Sequence, residues 1–342
     1  MYTIPPKKRI IINILDILKK YTDMDHRLTQ AEIADILKKE YYMEVDRKTV
    51  KRNLLNLLDL NCGIDYTEVT RTDKRGNDTS ICTDWYITRE FDDSELRLLI
   101  DSVICSKTIP QKQCQDLVKK IKSLSNVYFD KKVGNIYSLP EIRPENKELF
   151  YTIDILDEAI SKGKKVSFVY NSYGTDKKLH PKRKEKYIVN PYRMAATNGR
   201  YYLICNYDKY DTLSNYRIDR ITGIKMLDEN RKPVRELKER EINLPKHMAE
   251  HLYMFAGESI HAKFKAQNHI IDWFGFSPRM TKLNEDECIV EVDVNKEAFF
   301  WWSMQYGLHI EVLEPLDIRE RVKNASKCMW EKYKGDNENG KD

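Results

Sequence analysis

Twelve glycines are scattered through 342 residues, and none falls into a G-x-G-x-x-G run, a Walker A loop or a G-x-S-x-G elbow. The phosphate cradles of nucleotide-dependent enzymes and the serine turn of the α/β-hydrolases are therefore missing. Seven cysteines (62, 82, 105, 114, 205, 288 and 328) include no C-x-x-C pair. An odd, dispersed set suits reduced thiols, neither a disulfide framework nor a zinc site. No Asp/Glu cluster is spaced like a nuclease metal site, and no constellation supplies nucleophile, base and oxyanion donor together. The chain is expected not to be an enzyme and to need no cofactor. No apolar run approaches the roughly 18 residues of a membrane span. The run Ile10–Leu18 is broken by Asn13 and Asp16 and followed by Lys19-Lys20, so it reads as an amphipathic helix and not a signal peptide. A soluble, cytoplasmic protein with no membrane partner is the expectation.

What is present suits a multidomain α+β chain. Apolar residues make up 41% and charged residues 33%, enough apolar surface to bury a core. The formal net charge of +5 is mild, so a claim of nucleic-acid binding rests on where cations cluster. Residues 7–20 pattern as a first helix. Thr29 and Glu32 have the spacing of a capping box before a second helix that carries Ile33, Ile36 and Leu37. Asp46 is placed to cap a third helix from Arg47 to about Leu58. On it Val50, Leu54, Leu57 and Leu58 share one face, while Arg47, Lys48, Lys51 and Arg52 occupy an adjacent arc of about 140°. A helix that packs by one face and shows cations beside it fits a major groove; a solvated face of an ordinary helix carries the same pattern. Two β-rich runs, Ile64–Thr70 and Ser80–Thr88, flank a polar turn and complete a winged helix. Its candidate DNA contacts are Arg47, Lys48, Thr49, Lys51 and Arg52, with Arg71, Lys74 and Arg75 on the wing. Residues 1–90 hold sixteen Lys and Arg against fifteen Asp and Glu, so binding there depends on local placement.

Two helices follow, one capped by Asp93 with Leu96, Leu99, Ile100 and Val103 in register, the next opened by Pro110. Residues 124–148 lose periodicity and read as a linker. Beyond a helix at 153–161 comes a strand, Lys165–Tyr170, with Val166, Phe168 and Tyr170 on one face. Asp176–Lys186 packs six Lys or Arg and His180 into eleven residues, either a solvated loop or an anion-binding rim. Asn198-Gly199 marks a tight turn between strands. Tyr216-Arg217-Ile218-Asp219-Arg220-Ile221 alternates, which would set Arg217 and Asp219 on the open face of a half-buried sheet.

Asn190-Pro191-Tyr192, Asn198-Gly199-Arg200-Tyr201-Tyr202-Leu203-Ile204 and Tyr216–Ile221 together resemble the WYL domain of bacterial transcriptional regulators. Tyr201 stands where that family usually has Trp. The resemblance implies a small Sm-like, SH3-type β-barrel that takes a single-stranded nucleic-acid or nucleotide-like effector. Carried onto this sequence, the pocket candidates are Tyr170, Arg193, Arg200, Tyr202, Arg217, Asp219 and Arg220. An aromatic ring beside convergent arginines suits a base and a phosphate, whereas Arg217 with Asp219 equally suits an ion pair between strands.

After a connector, residues 261–313 follow a βαββαβ order, a ferredoxin-like arrangement with a helix through Ile270, Ile271 and Phe274 and a hairpin turning at Asn284–Asp286. The segment resembles the C-terminal extension that commonly follows the WYL domain. His247-Met248-Ala249-Glu250-His251 also matches H-x-x-E-H, yet a zinc hydrolase needs a third ligand and a far larger scaffold. The expected layout is therefore residues 1–90 winged helix, 91–148 helical connector, 149–230 WYL sensor, 231–258 connector, 259–334 ferredoxin-like extension and 335–342 disordered tail. The function that follows is an effector-responsive regulator binding a duplex DNA operator as a homodimer. Two alternatives stay open: a nucleic-acid-binding accessory protein that modulates an enzyme, as in phage defence, and the zinc hydrolase.

Overall fold

The computed structural model describes residues 9–72, 78–133, 146–238, 241–251, 254–255, 257–273 and 278–334. The chain divides into two compact units, Met1–Arg143 and Pro144–Asp342.

In the first unit α1 (Ile10–Tyr21), α2 (Gln30–Tyr41) and α3 (Arg47–Asp59) pack around one core. Periodicity alone aligns their inward residues: Ile14, Ile17 and Leu18, then Ile33 and Leu37, then Val50, Leu54 and Leu57. The Thr29–Glu32 capping box forms, and Asp46 Oδ1 accepts from the Thr49 N–H at 2.9 Å. Strands β1 (Ile64–Thr72) and β2 (Asp78–Ile87) follow as an antiparallel pair. Trp85 of β2 is fully buried, and its backbone exchanges two hydrogen bonds with Leu28 between α1 and α2. That bridge fastens the hairpin to the helices.

Helices α4 (Asp93–Cys105), α5 (Gln111–Lys122) and α6 (Val127–Lys132) close the unit around Leu96, Ile100, Phe129 and Val133. Two expectations are corrected here. The cap of α4 is Asp92, which forms a capping box with Glu95, while Asp93 starts the helix and pairs with Lys132 at 2.8 Å. The stretch read as a linker from 124 contains α6, whose two turns are too short to show a period yet bury Phe129. Asn126 caps α6, and its amide also reaches the carboxylate of Asp23 at 2.6 Å. Residues 134–145 of that linker, and the tail from 335, lie outside the described residues.

The second unit opens with α7 (Leu149–Lys162), four residues earlier than the sequence suggests, which Gly163 ends in the left-handed region at φ 65°. Strands β3 (Lys164–Tyr173), β4 (Leu179–Pro181), β5 (Tyr187–Thr197), β6 (Arg200–Asn206), β7 (Leu213–Arg217) and β8 (Ile221–Asn230) build one curled sheet. Its order is β4-β3-β5-β6-β7, and β8 pairs with β3 as well. Asn198 and Gly199 join β5 to β6 at φ 52° and 71°, the two positive angles a type I′ hairpin turn needs. After a short helix, α8 (Leu244–Glu250), a four-stranded antiparallel sheet forms from β9 (Ser259–Gln267), β10 (Arg279–Lys282), β11 (Glu287–Asn295) and β12 (Ile310–Glu314). Its order is β10-β11-β9-β12. Helix α9 (Lys296–Gln305) packs on β11 and α10 (Leu316–Tyr333) on β12. Phe299, Phe300 and Trp302 join this core, and Trp301 stays 54% exposed. Where a helix is expected through Ile270, Ile271 and Phe274, Asn268–Trp273 is a 3₁₀ segment, and Phe274 lies outside the described residues.

Candidate functional site

Helix α3 is held from both sides. Its apolar face is fixed by Val50, Leu54 and Leu57, and its first turn by the Asp46 cap, which also takes the hydroxyl of Thr49 at 3.0 Å. Arg47, Lys48, Lys51 and Arg52 are all exposed, and none is ion-paired among the described residues. Four cations are thus presented to solvent on a helix whose orientation the core dictates. Thr49 is half-buried and engaged by the cap. Arg71 is exposed near the end of β1, whereas Lys74 and Arg75 lie outside the described residues.

The second candidate site sits where β7 ends. The expected alternation breaks there: Arg217 closes the strand, and Ile218–Arg220 turn as a 3₁₀ segment. Asp219 is therefore fully buried and not on an open face. Arg217 meets it with two hydrogen bonds, Nε to Oδ1 at 3.0 Å and Nη2 to Oδ2 at 2.6 Å. The backbone N–H of Arg217 donates to the Tyr170 hydroxyl at 3.2 Å. Tyr202 lies opposite Arg217 in the β6–β7 register. Burial pushes the Tyr202 phenol up, and the charges of Arg217, Arg200 and Arg220 pull the other way. Tyr170 and Tyr202 are themselves buried, at 8% exposure each. Arg193 is exposed on β5. Arg220 differs from Arg217: its buried Nε has no hydrogen-bond partner among the described residues, and its guanidinium lies 5.8 Å from the Tyr173 ring. Among the pocket candidates, Arg220 is the arginine with a buried donor to spare.

Sequence reading did not single out Arg183. Its guanidinium lies 3.5 Å from the centre of the Tyr187 ring and 5.4 Å from that of Tyr207, while Nε and Nη2 donate to the carbonyls of Glu185 and Lys186. A cation already stacked and hydrogen-bonded pins the Asp176–Lys186 run to the curled sheet. The usable signal was the adjacent aromatic, Tyr187.

The side chains of the H-x-x-E-H stretch are engaged by neighbouring protein groups. The rings of His247 and His251 stack 4.0 Å apart. His247 Nε2 pairs with Asn215 Oδ1 at 3.1 Å, His251 Nδ1 with the carbonyl of His247 at 2.9 Å, and the Glu250 carboxylate accepts from Ser259 at 2.6 Å. Among the described residues no group of three His, Cys, Asp or Glu is arranged to hold a metal. Burial, with the neighbouring His251, lowers the His247 pKa to about 4. A histidine whose pKa is depressed on folding contributes stability that is complete above its ordinary value and lost as pH falls toward the folded value. Unfolding free energy is therefore expected to fall by about 2 kcal/mol between pH 6.5 and 4, discounted for partial exposure. A His247→Gln chain should lose that part of the pH dependence in denaturant titrations; equal slopes in both proteins would refute it.

Residues 151–226 match the WYL domain family and residues 258–330 the WCX domain family. No curated protein matches the chain significantly. Among solved structures, the proteasome accessory factor B/C (PafBC) of Arthrobacter aurescens is similar at 14% identity and a TM-score of 0.29, covering 96% of this chain and 49% of its own. The chain thus spans about half the length of that relative. A CRISPR Cas-related protein is similar at 15% identity and a TM-score of 0.39, covering 97% of this chain and 85% of its own. Among the described residues no helix is long and apolar enough to cross a membrane.

Proposed function

We propose that this chain, with its WYL domain and its WCX domain, is an effector-responsive regulator of transcription that acts by binding duplex DNA. The observation that carries the reading is α3: a capped helix locked by its apolar face, showing four exposed cations with no ion-pair partner among the described residues. Three packed helices and a hairpin support a winged helix, and the β10-β11-β9-β12 order supports a ferredoxin-like extension. The curled sheet is read as an Sm-like barrel whose effector is a nucleotide or a short single strand. Arg220 and Arg200 meet its phosphate, and Arg217 holds the floor of the pocket together with Asp219. The regulator works in the cytoplasm as a homodimer on a two-fold operator and performs no catalysis itself.

The test is equilibrium binding of the purified chain to fluorescein-labelled duplex from its own upstream region, competed with unlabelled single strands and unrelated duplex. Upstream duplex is expected to resist competition by unrelated duplex. Binding of single strands in preference to any duplex would sink the regulator reading and favour a nucleic-acid-binding accessory protein.

A further inference from the structure

Residues 107–133 carry seven Lys (107, 112, 119, 120, 122, 131 and 132) against Asp116 and Asp130, a net +5 equal to the formal charge of the whole chain. The three helices and hairpin before them are nearly neutral. The structure accounts for two of these lysines: Lys122 pairs with Asp130 at 3.1 Å and Lys132 with Asp93 at 2.8 Å. The other five are exposed and have no ion-pair partner among the described residues. Lys112 and Lys119 are two turns apart on the same face of α5, with Lys120 beside them, while Cys114 and Ile121 turn inward. The Lys122–Asp130 bridge ties α6, which carries Lys131, to the end of α5.

This surface borders a cleft of about 870 Å³ between the C-terminal end of α1 and the α5–α6 turn. Lys19 and Lys119 line it without ion-pair partners among the described residues, and Arg89 crosses its wall to donate to the carbonyls of Lys19 and Thr22 at 2.5 and 2.7 Å. Lysines on flexible stems, spread over two helices and one cleft, offer point charges and not a fixed fork. They suit a polyanion contacted at several phosphates without base readout. Like charges crowded on a small unit repel one another, and a partner of opposite charge relieves that cost.

From this placement we infer that α5 and α6 form a second DNA-binding surface, contacting the phosphate backbone of duplex outside the site read by α3. The inference rests on the duplex-binding reading above. It assigns the connector helices to the DNA-binding unit and makes part of the affinity independent of sequence.

The test uses the full chain with Lys112, Lys119, Lys120 and Lys131 changed to Gln. Fluorescein-labelled random-sequence duplexes of two lengths are titrated over a salt series. Removing a lysine that neutralises one phosphate should lower the salt slope by about 0.9. On the longer duplex the variant slope is expected to be shallower than wild type by about 3.6, with affinity down by roughly several hundred-fold at 0.15 M salt. On a duplex just long enough for α3 the two proteins should agree, and their melting curves should coincide. A slope equal to wild type on the longer duplex overturns the surface and leaves the α3 reading standing. Failure of the wild-type chain to bind either random duplex overturns the surface, and failure to bind its upstream duplex as well overturns the α3 reading too.

Discussion

Changing Arg217 to Ala is expected to destabilise the second unit by about 3–5 kcal/mol, because it leaves the carboxylate of Asp219 buried without a partner. The two groups are unequal. Asp219 is fully buried, while the Arg217 side chain keeps 16% exposure, so the arginine can turn toward water and the carboxylate cannot. Asp219→Asn should therefore cost less, about 1–2 kcal/mol, and the double change to Ala should recover at least half of the single loss. Hydrogen exchange over residues 202–221 reads the effect locally, since all five tryptophans lie elsewhere in the chain. An Arg217→Ala protein that melts within about 1 kcal/mol of wild type would show the pair to be incidental. Loss of an effector response on changing Arg217 reports folding before it reports ligand binding. Arg220→Ala, which breaks no ion pair among the described residues, is the variant that isolates binding.

The second large effect concerns α3. Replacing Arg47, Lys51 and Arg52 together with Ala should leave unfolding unchanged within about 0.5 kcal/mol, since all three are exposed and Ala favours helix. Duplex affinity should drop by about 100-fold at physiological salt, at roughly 1 kcal/mol for each phosphate interaction, and the salt slope by about 3. A drop in affinity with an unchanged slope would mean that these side chains do not meet phosphates. Binding that survives intact would move the DNA interface off α3.

Local signals in the sequence carried much of the fold. Thr29 with Glu32 and Asp46 with Thr49 each need only three residues of context, and the structure forms both caps. Asn198-Gly199 is legible for the same reason, as the turn depends on two backbone angles that few residues tolerate. At α4 two adjacent aspartates compete for the cap, and the glutamate three residues after Asp92 decides it. Longer-range facts were not legible. β3 pairs with three other strands over ten residues, which follows from the curl of the sheet and not from any pattern in Lys164–Tyr173. The burial of Asp219 depends on a 3₁₀ turn that ends the alternation one residue after Tyr216. Asn146 holds that turn from 73 residues away, donating to the carbonyls of Asp219 and Ile221. The candidate arginines were chosen by residue type alone; what each is already bound to needed the structure.

Asn126 has a consequence for how the first unit moves. One side chain caps α6 through Oδ1 and, through Nδ2, holds Asp23, which in turn binds the backbone of Asp25 and His26. The His26 ring lies flat against Tyr128, 3.6 Å away, so the same few residues are joined a second time. A helix of two turns and the bend that precedes α2 are thus one opening unit: neither frays without stranding polar groups of the other. Amide exchange at Asp25, His26, Tyr128 and Phe129 should share a single protection free energy, and a force applied at the far end of α6 would be felt first at the entrance to α2.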